Sequence, residues 1–218
     1  MPNYDKRVKR QVLRTRHQMK DLLKQLKNQL KSLATFHGVA GELGEKKYGD
    51  KWLKFAMSMM VDVMDVVNEK IKTLETAIGS IATKDEYRER VESLMEMEGV
   101  GLLCAMEMVV GVADMSAFKK SGQFASFLGL CPGENSSGDK KHQSGITHRG
   151  NGRARFILMQ CAWSRVRANK EEKERFQKLK ARIGARKAIV AMARRLAVQI
   201  WWKLKETADP PREVKTAA

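Results

Sequence analysis

Residues 6–36 read KRVKRQVLRTRHQMKDLLKQLKNQLKSLATF and contain neither glycine nor proline. Apolar residues recur along this segment at intervals of three, four or seven residues, the spacing of one face of an α-helix. The positions are Val12, Met19, Leu23, Leu26, Leu30 and Leu33. The pattern predicts one long helix with a narrow apolar seam.

A second long helix is predicted after a glycine-rich break. Residues 38–49 read GVAGELGEKKYG, and their four glycines interrupt the periodic pattern. From residue 50 to about residue 81 the pattern resumes, with apolar positions at Trp52, Phe55, Met59, Val63, Val66 or Val67, Leu74, Ile78 and Ile81. Two such helices predict a long antiparallel helical hairpin or coiled coil. Their narrow seams predict a homo-oligomer, at least a dimer, through residues 12–81.

The chain is strongly basic. Its 218 residues include 42 Lys and Arg against 25 Asp and Glu, a formal net charge of +17. Nucleic acid is the favoured partner, because a protein that neutralises phosphates releases their counterions. Residues 6–31 concentrate this charge, and there a solvated surface and a nucleic-acid face are equally good interpretations.

The sequence gives no sign of a membrane or metal protein. It has no run of about 18 apolar residues to span a bilayer and no signal peptide, so a cytoplasmic protein is expected. Cys104, Cys131 and Cys161 are isolated, which favours reduced thiols, and the four histidines do not pair with them at a metal-binding spacing. Asp62 and Asp65 lie one helical turn apart and are expected to face solvent.

Residues 97–112 read MEGVGLLCAMEMVVGV and place Gly99 and Gly101 between a helix predicted over 85–96 and a new apolar helix. This is the pattern of a helix-hairpin-helix turn, whose backbone amides can bind a phosphate. Glycines in a tight helix-helix turn also need no ligand, and both interpretations stay open.

The remaining pattern is helical. A short helix is predicted from Ser121, another over 155–167, a connector with helical propensity over 168–184, and a last helix over 186–205. No strand pattern is convincing. We therefore predict an all-α fold with a hairpin over 1–84, a compact helical domain over 85–206 and a disordered tail over 207–218.

A long polar segment interrupts these helices. Residues 136–155 read SSGDKKHQSGITHRGNGRAR. A serine hydroxyl at Ser136 or Ser137, beside many cations, suits attack on a phosphodiester, and His142 or His148 could accept the proton. The cations are Lys140, Lys141, Arg149, Arg153 and Arg155. Spacing alone favours passive phosphate contacts, so these residues by themselves predict nucleic-acid binding and not a reaction.

The order of motifs from Met97 to Trp163 closely resembles the C-terminal domain of the insertion-sequence one-hundred-and-ten family of transposases, relatives of the Piv-type DNA invertases. Weaker likeness extends from about Lys6 to Leu204. The matching positions are Phe127-Leu128-Gly129-Leu130, Pro132, Ser136-Ser137-Gly138, Lys140, Ile146, Gly150-Asn151, Arg155 and Ala162-Trp163.

The resemblance implies a recombinase with a serine nucleophile, Ser137 as first choice and Ser136 as second. Lys140, Arg149, Asn151 and Arg155 would then contact phosphate or the active site. The family acts on DNA, is guided by a structured bridge RNA and works as oligomers. Its fold also includes a RuvC-like domain with a metal-binding acidic tetrad.

This chain shows no RuvC-like region ahead of its first helix. We therefore expect no cofactor in this chain, Mg²⁺ only together with a RuvC-like partner domain, and no strand cleavage by the chain alone. The alternatives are a DNA- or RNA-binding helical protein without chemistry and a helical scaffold whose charge serves solubility.

Overall fold

The computed structural model describes residues 4–38, 50–112, 115–134, 143–146 and 150–207. The chain divides between Ile81 and Ala82 into two compact units. The described residues are mostly helical, as predicted, with one short two-stranded ribbon that the sequence pattern did not reveal. The tail from residue 208 onward lies outside the described residues. Within the described ranges, no helix has the length and apolar character needed to cross a bilayer.

The N-terminal unit contains two long helices, α1 over Tyr4–Phe36 and α2 over Lys51–Ala82. Asp50 caps α2, since its Oδ1 accepts hydrogen bonds from the backbone N–H groups of Trp52 at 2.8 Å and Leu53 at 2.9 Å. At the other boundary, Gly38 follows α1 with a φ of 68°, a backbone conformation that favours glycine.

Two apolar clusters join α1 to α2. Leu23 packs with Val67 and Ile71, and further along α1 Leu30 packs with Met57. The contacts therefore advance along α1 as they go back along α2. Arg16, nearer the start of α1, extends this order, because its guanidinium donates to the Glu75 carboxylate at 2.6 and 2.9 Å.

The second helix has two apolar faces, and the predicted positions fall mainly on the exposed one. Buried residues of α2 include Met57, Val67, Ile71 and Ile78. The predicted positions Trp52, Phe55, Met59, Val63 and Val66 are between 45 and 72% exposed. Val67, and not Val66, belongs to the core. We call these five exposed residues the outer face of α2.

The basic character of α1 is only partly a surface feature. Lys9 is buried and donates to the Asp5 carboxylate, while Arg16 is committed to Glu75. Lys20, Lys24, Lys27 and Lys31 are exposed and follow the four-three helical spacing, so they form one continuous basic stripe. Asp62 and Asp65 of α2 are exposed, as expected, and no metal-holding group of three His, Cys, Asp or Glu occurs within the described ranges.

The C-terminal unit is built around its last helix, α8, over Ala185–Glu206. The other helices are α3 over Asp85–Met95, α4 over Leu102–Met106, α5 over Ser121–Phe127, α6 over Gly152–Ala168 and α7 over Lys170–Ile183. A π-helical turn over Glu107–Gly111 continues α4, and a 3-10 turn spans Met115–Ala117. Helices α3, α5, α6 and α7 all pack on α8, whose buried side chains form one stripe from Ala188 to Leu204.

The segment predicted as a connector forms the regular helix α7. Asn169 caps it by accepting a hydrogen bond from the Glu172 N–H at 3.0 Å. Phe176 is buried and packs edge-on against Trp163 of α6, with ring centroids 5.2 Å apart. This apolar contact explains why a stretch so rich in charge folds as part of the domain.

Candidate nucleic-acid interface

A short antiparallel ribbon brackets the serine-bearing segment. Strand β1, Pro132–Glu134, pairs with strand β2, Gln143–Ile146, with Pro132 opposite Ile146 and Glu134 opposite Gln143. The pairing is irregular between these two positions. Because residues 134 and 143 are paired across the ribbon, the segment between them begins and ends at the same end of the ribbon. The interval between them contains Ser136, Ser137, Lys140 and Lys141, which are outside the described residues. Arg149, beyond β2, is also outside them.

The far end of this segment is held against the end of α5. Gly150 has a φ of 88°, and a Cβ atom there would lie 2.2 Å from the Phe127 carbonyl oxygen. The next residue, Asn151, donates its backbone N–H to the same oxygen at 3.0 Å. Only glycine fits this approach, so the Gly150-Asn151 pair attaches the segment to the helical core.

Asn151 also begins α6. Its Oδ1 accepts a hydrogen bond from the Ala154 N–H at 3.1 Å, the geometry of an N-cap. The first turn of α6 contains Arg153 and Arg155 and no acidic residue. This arrangement is unusual, because the positive end of a helix dipole favours acidic side chains. An anion at this turn would offset both the dipole and the two guanidinium charges.

Arg153 and Arg155 differ in the hydrogen bonds that their side chains make. The Arg155 guanidinium donates to the Leu128 carbonyl at 3.1 Å and so ties α6 to the end of α5. The Arg153 Nε is buried and has no hydrogen-bond partner within the described ranges. A buried donor without a partner costs free energy, and an acceptor that reached this atom would offset that cost.

Comparison with known proteins identifies the region around this turn. Residues 91–177 match the family described as Transposase IS116/IS110/IS902. We call the matched residues 91–177 the transposase-family domain. The chain is 35% identical over 138 residues to the transposase for insertion sequence element IS1111A of Coxiella burnetii, an alignment covering 62% of this chain and 37% of the relative. It is 30% identical over 94 residues to the transposase for insertion sequence element IS1328 of Yersinia enterocolitica, covering 43% and 27%.

A third relative is the insertion element IS116 uncharacterized 44.8 kDa protein of Streptomyces clavuligerus, 27% identical over 150 residues that cover 66% of this chain and 37% of the relative. The chain thus spans about a third of the length of these curated relatives. The transposase-family domain begins within α3 and ends within α7, so it includes both serines and the first turn of α6.

The predicted hairpin glycines lie elsewhere in the transposase-family domain. Gly99 has a φ of 76°, and a Cβ atom there would lie 2.8 Å from the Cys161 carbonyl oxygen and 2.9 Å from the Arg165 backbone nitrogen. Cys161 and Arg165 are nine and thirteen residues beyond Gly152, which is roughly 14 to 20 Å along α6. The structure therefore brings Asn151, Arg153 and Arg155 together and keeps the hairpin turn apart from them.

The amide of Gly101 is engaged by a thiol. Hydrogen bonding from Cys104 lowers the pKa of the Cys161 thiol, burial opposes that shift, and the Gly101 N–H lowers the pKa further. The hydrogen bond with Cys161, together with burial, raises the pKa of the Cys104 thiol well above its usual value. Gly99 therefore has a packing role and the Gly101 amide faces a thiol, while the phosphate role of both glycines stays a prediction.

Sequence reasoning missed a second basic cluster in the C-terminal unit. Glu172 of α7 is buried and lies within 4.0 Å of Arg165, Arg175 and Arg195. These side chains come from three helices, so no local pattern reveals their meeting. The one available signal is Asn169 followed three residues later by Glu172, which is typical of a helix start.

Proposed function

We propose that this chain is the serine-bearing, nucleic-acid-binding part of a DNA transposase related to the Piv-type invertases, with Ser137 as nucleophile and Ser136 as second candidate. The observation that carries the proposal is the match of residues 91–177 to a transposase family, because that region includes both serines. The first turn of α6 supports it with an acid-free helix terminus and with the Nε of Arg153, which has no hydrogen-bond partner among the described residues.

In the proposed step, the serine Oγ attacks the phosphorus of a DNA phosphodiester. A serine-phosphate bond forms, the bond from phosphorus to one strand oxygen breaks, and that oxygen leaves with a proton. The serine proton passes to a base, for which His142 and His148 are the candidates, and the protonated base then gives a proton to the leaving oxygen. Lys140, Lys141, Arg149, Arg153 and Arg155 stabilise the charge that develops on the phosphoryl oxygens, with Asn151 holding α6 in position.

Four partners belong to this proposal. DNA is the substrate, a structured RNA is the guide, and a RuvC-like acidic domain supplies the Mg²⁺ site. Among the described residues of this chain, no group of three His, Cys, Asp or Glu could hold a metal ion. The fourth partner is a second copy, bound through residues 12–81, since the outer face of α2 leaves five large apolar side chains uncovered. We place the assembly in the cytoplasm.

The test supplies a RuvC-like domain of a related transposase in trans, with guide RNA and a target duplex, and measures strand exchange. Wild type is expected to form a protein-DNA adduct that survives denaturation, and Ser137→Ala to lose both adduct and exchange while still binding DNA. If Ser136→Ala shows the loss instead, the second candidate is the nucleophile.

Strand exchange that persists in the Ser136→Ala/Ser137→Ala double variant would overturn the nucleophile assignment. Binding without any adduct in wild type would favour the alternative, a nucleic-acid-binding protein without chemistry. A chain that binds neither duplex DNA nor structured RNA at moderate salt would contradict both.

A further inference from the structure

The buried carboxylate of Glu172 gathers three guanidiniums at the crossing of α6, α7 and α8. Its Oε1 lies 3.3 Å from Arg165 Nη2 and 3.8 Å from Arg195 Nη2, and its Oε2 lies 3.9 Å from Arg175 Nε. We call these four residues the Glu172 cluster. Three positive charges and one negative charge leave it with a formal net charge of +2.

One arginine of the cluster suffices to neutralise the buried acid. Arg165 is held on both sides, because its Nη1 donates to Gln199 Oε1 at 2.6 Å while its Nη2 faces Glu172. Its side chain is 18% exposed and that of Glu172 is 8% exposed. This pair satisfies the need of a buried carboxylate for a fixed partner, so neutralising Glu172 does not explain the other two arginines.

Arg175 and Arg195 are held more loosely and face water. Their side chains are 45% and 40% exposed. Their separations from Glu172, 3.9 and 3.8 Å, exceed a hydrogen-bond distance, so their donors remain available to another acceptor. Neighbouring guanidiniums repel each other, and a bound anion offsets that repulsion. A phosphate matches the planar donor fork of arginine better than a monatomic ion does.

We propose that Arg175 and Arg195 bind one backbone phosphate of a nucleic acid, at a contact separate from the serine-bearing segment. The proposal rests on the proposed function in assuming that this chain binds nucleic acid. Arg165 lies thirteen residues beyond the start of α6, about 20 Å along the helix. That length equals about six base pairs of B-DNA. The cluster therefore extends the expected contact well beyond the first turn of α6.

The start of α7 positions Glu172 and Arg175 for this contact. Asn169 caps α7 and also donates its Nδ2 to Glu98 at 2.5 Å, which links the start of α7 to the turn between α3 and α4. Glu172 is thereby placed in the first turn of α7, where a buried acid is favoured by the helix dipole. Arg175, three residues on, follows from the helical spacing.

The test compares binding of a labelled duplex DNA and of a labelled RNA hairpin by wild type and by Arg175→Gln/Arg195→Gln. Affinity is measured from about 50 to about 200 mM salt. The double variant is expected to bind both probes more weakly, to lose affinity equally across sequences, and to lower the slope of log affinity against log salt by about 1.

The matched control is Lys178→Gln/Arg194→Gln, which removes the same charge at exposed positions of the same two helices. It is expected to keep the slope of wild type. A second variant, Arg175→Lys/Arg195→Lys, keeps the charge and is expected to keep the slope as well, which separates phosphate neutralisation from packing. Circular dichroism melting checks that each variant folds.

Equal slopes for the glutamine variant and its control, in a wild type that binds, would overturn this proposal alone. Absence of binding by wild type would overturn the proposed function with it. An effect on only one probe would still support the phosphate contact and would identify whether DNA or RNA supplies it.

Discussion

The two units of this chain bury their apolar residues to very different degrees. Among the described residues, ten large apolar side chains of the N-terminal unit are exposed, against three, Met95, Phe156 and Trp202, in the C-terminal unit. Two helices alone can cover only one face of each other, whereas α8 has neighbours along most of its length. The comparison shows that the first unit leaves an apolar face uncovered, while the second unit covers its own core.

The largest expected effect comes from charging the outer face of α2. Phe55→Glu/Val63→Glu should convert a dimer into monomers, since burying each such side chain contributes about 1.5 to 3 kcal/mol and a symmetric interface loses each one twice. Multi-angle light scattering would show the halved mass. Ser58→Glu/Thr76→Glu adds the same charge at exposed polar positions of α2 and should leave the dimer intact. A wild type that is monomeric at micromolar concentration would contradict the proposed dimer through the outer face of α2.

Gly150→Ala should be the most damaging single change in the C-terminal unit. The new Cβ would lie 2.2 Å from a backbone oxygen at a φ of 88°, so the junction must shift, at a cost of about 3 kcal/mol or more. Urea unfolding would measure the loss. Gly145→Ala, in β2, meets nothing within 4 Å and provides the control. A near-neutral Gly150→Ala would show that this junction, unlike α8, is not part of the rigid core.

Gly99→Ala and Gly101→Ala separate packing from ligand binding in the hairpin turn. Gly99→Ala brings a Cβ to 2.8 Å from the Cys161 carbonyl oxygen and should destabilise the unit by about 2 kcal/mol. Gly101 has a φ of −92° and open space, so its alanine variant should change stability by less than about 0.5 kcal/mol. Weaker DNA binding by Gly101→Ala, with stability unchanged, would support the predicted phosphate role of the turn.

The helices were predictable because their apolar period and their glycine breaks are local signals. The choice between the faces of α2 was not, since Val66 and Val67 fit the period equally well and only packing against Leu23 selects Val67. The ribbon was missed because PGE and QSGI show no alternation of apolar and polar residues. Its pairing joins residues that are distant in sequence, such as Pro132 and Ile146.

The candidate site was predictable to a different extent. Asn151, Arg153 and Arg155 are close in sequence and therefore share one helical turn. The Glu172 cluster joins residues up to thirty positions apart, for example Arg165 and Arg195, and only the packing of three helices reveals it. Gly99 illustrates the opposite case, in which a recognised motif has a packing contact on α6 that its sequence does not show.

The smallest expected effect on stability separates the two roles of Asn151. Asn151→Ala removes the N-cap of α6 and should cost about 1 kcal/mol, measured by urea unfolding. Asn151→Asp keeps an acceptor for the Ala154 N–H and should leave stability unchanged or slightly raised, because a carboxylate suits a helix N-terminus. The same carboxylate would repel a phosphate at that turn, so DNA affinity should fall in Asn151→Asp and fall less in Asn151→Ala. Equal affinity for the aspartate variant and wild type would mean that no phosphate approaches the first turn of α6.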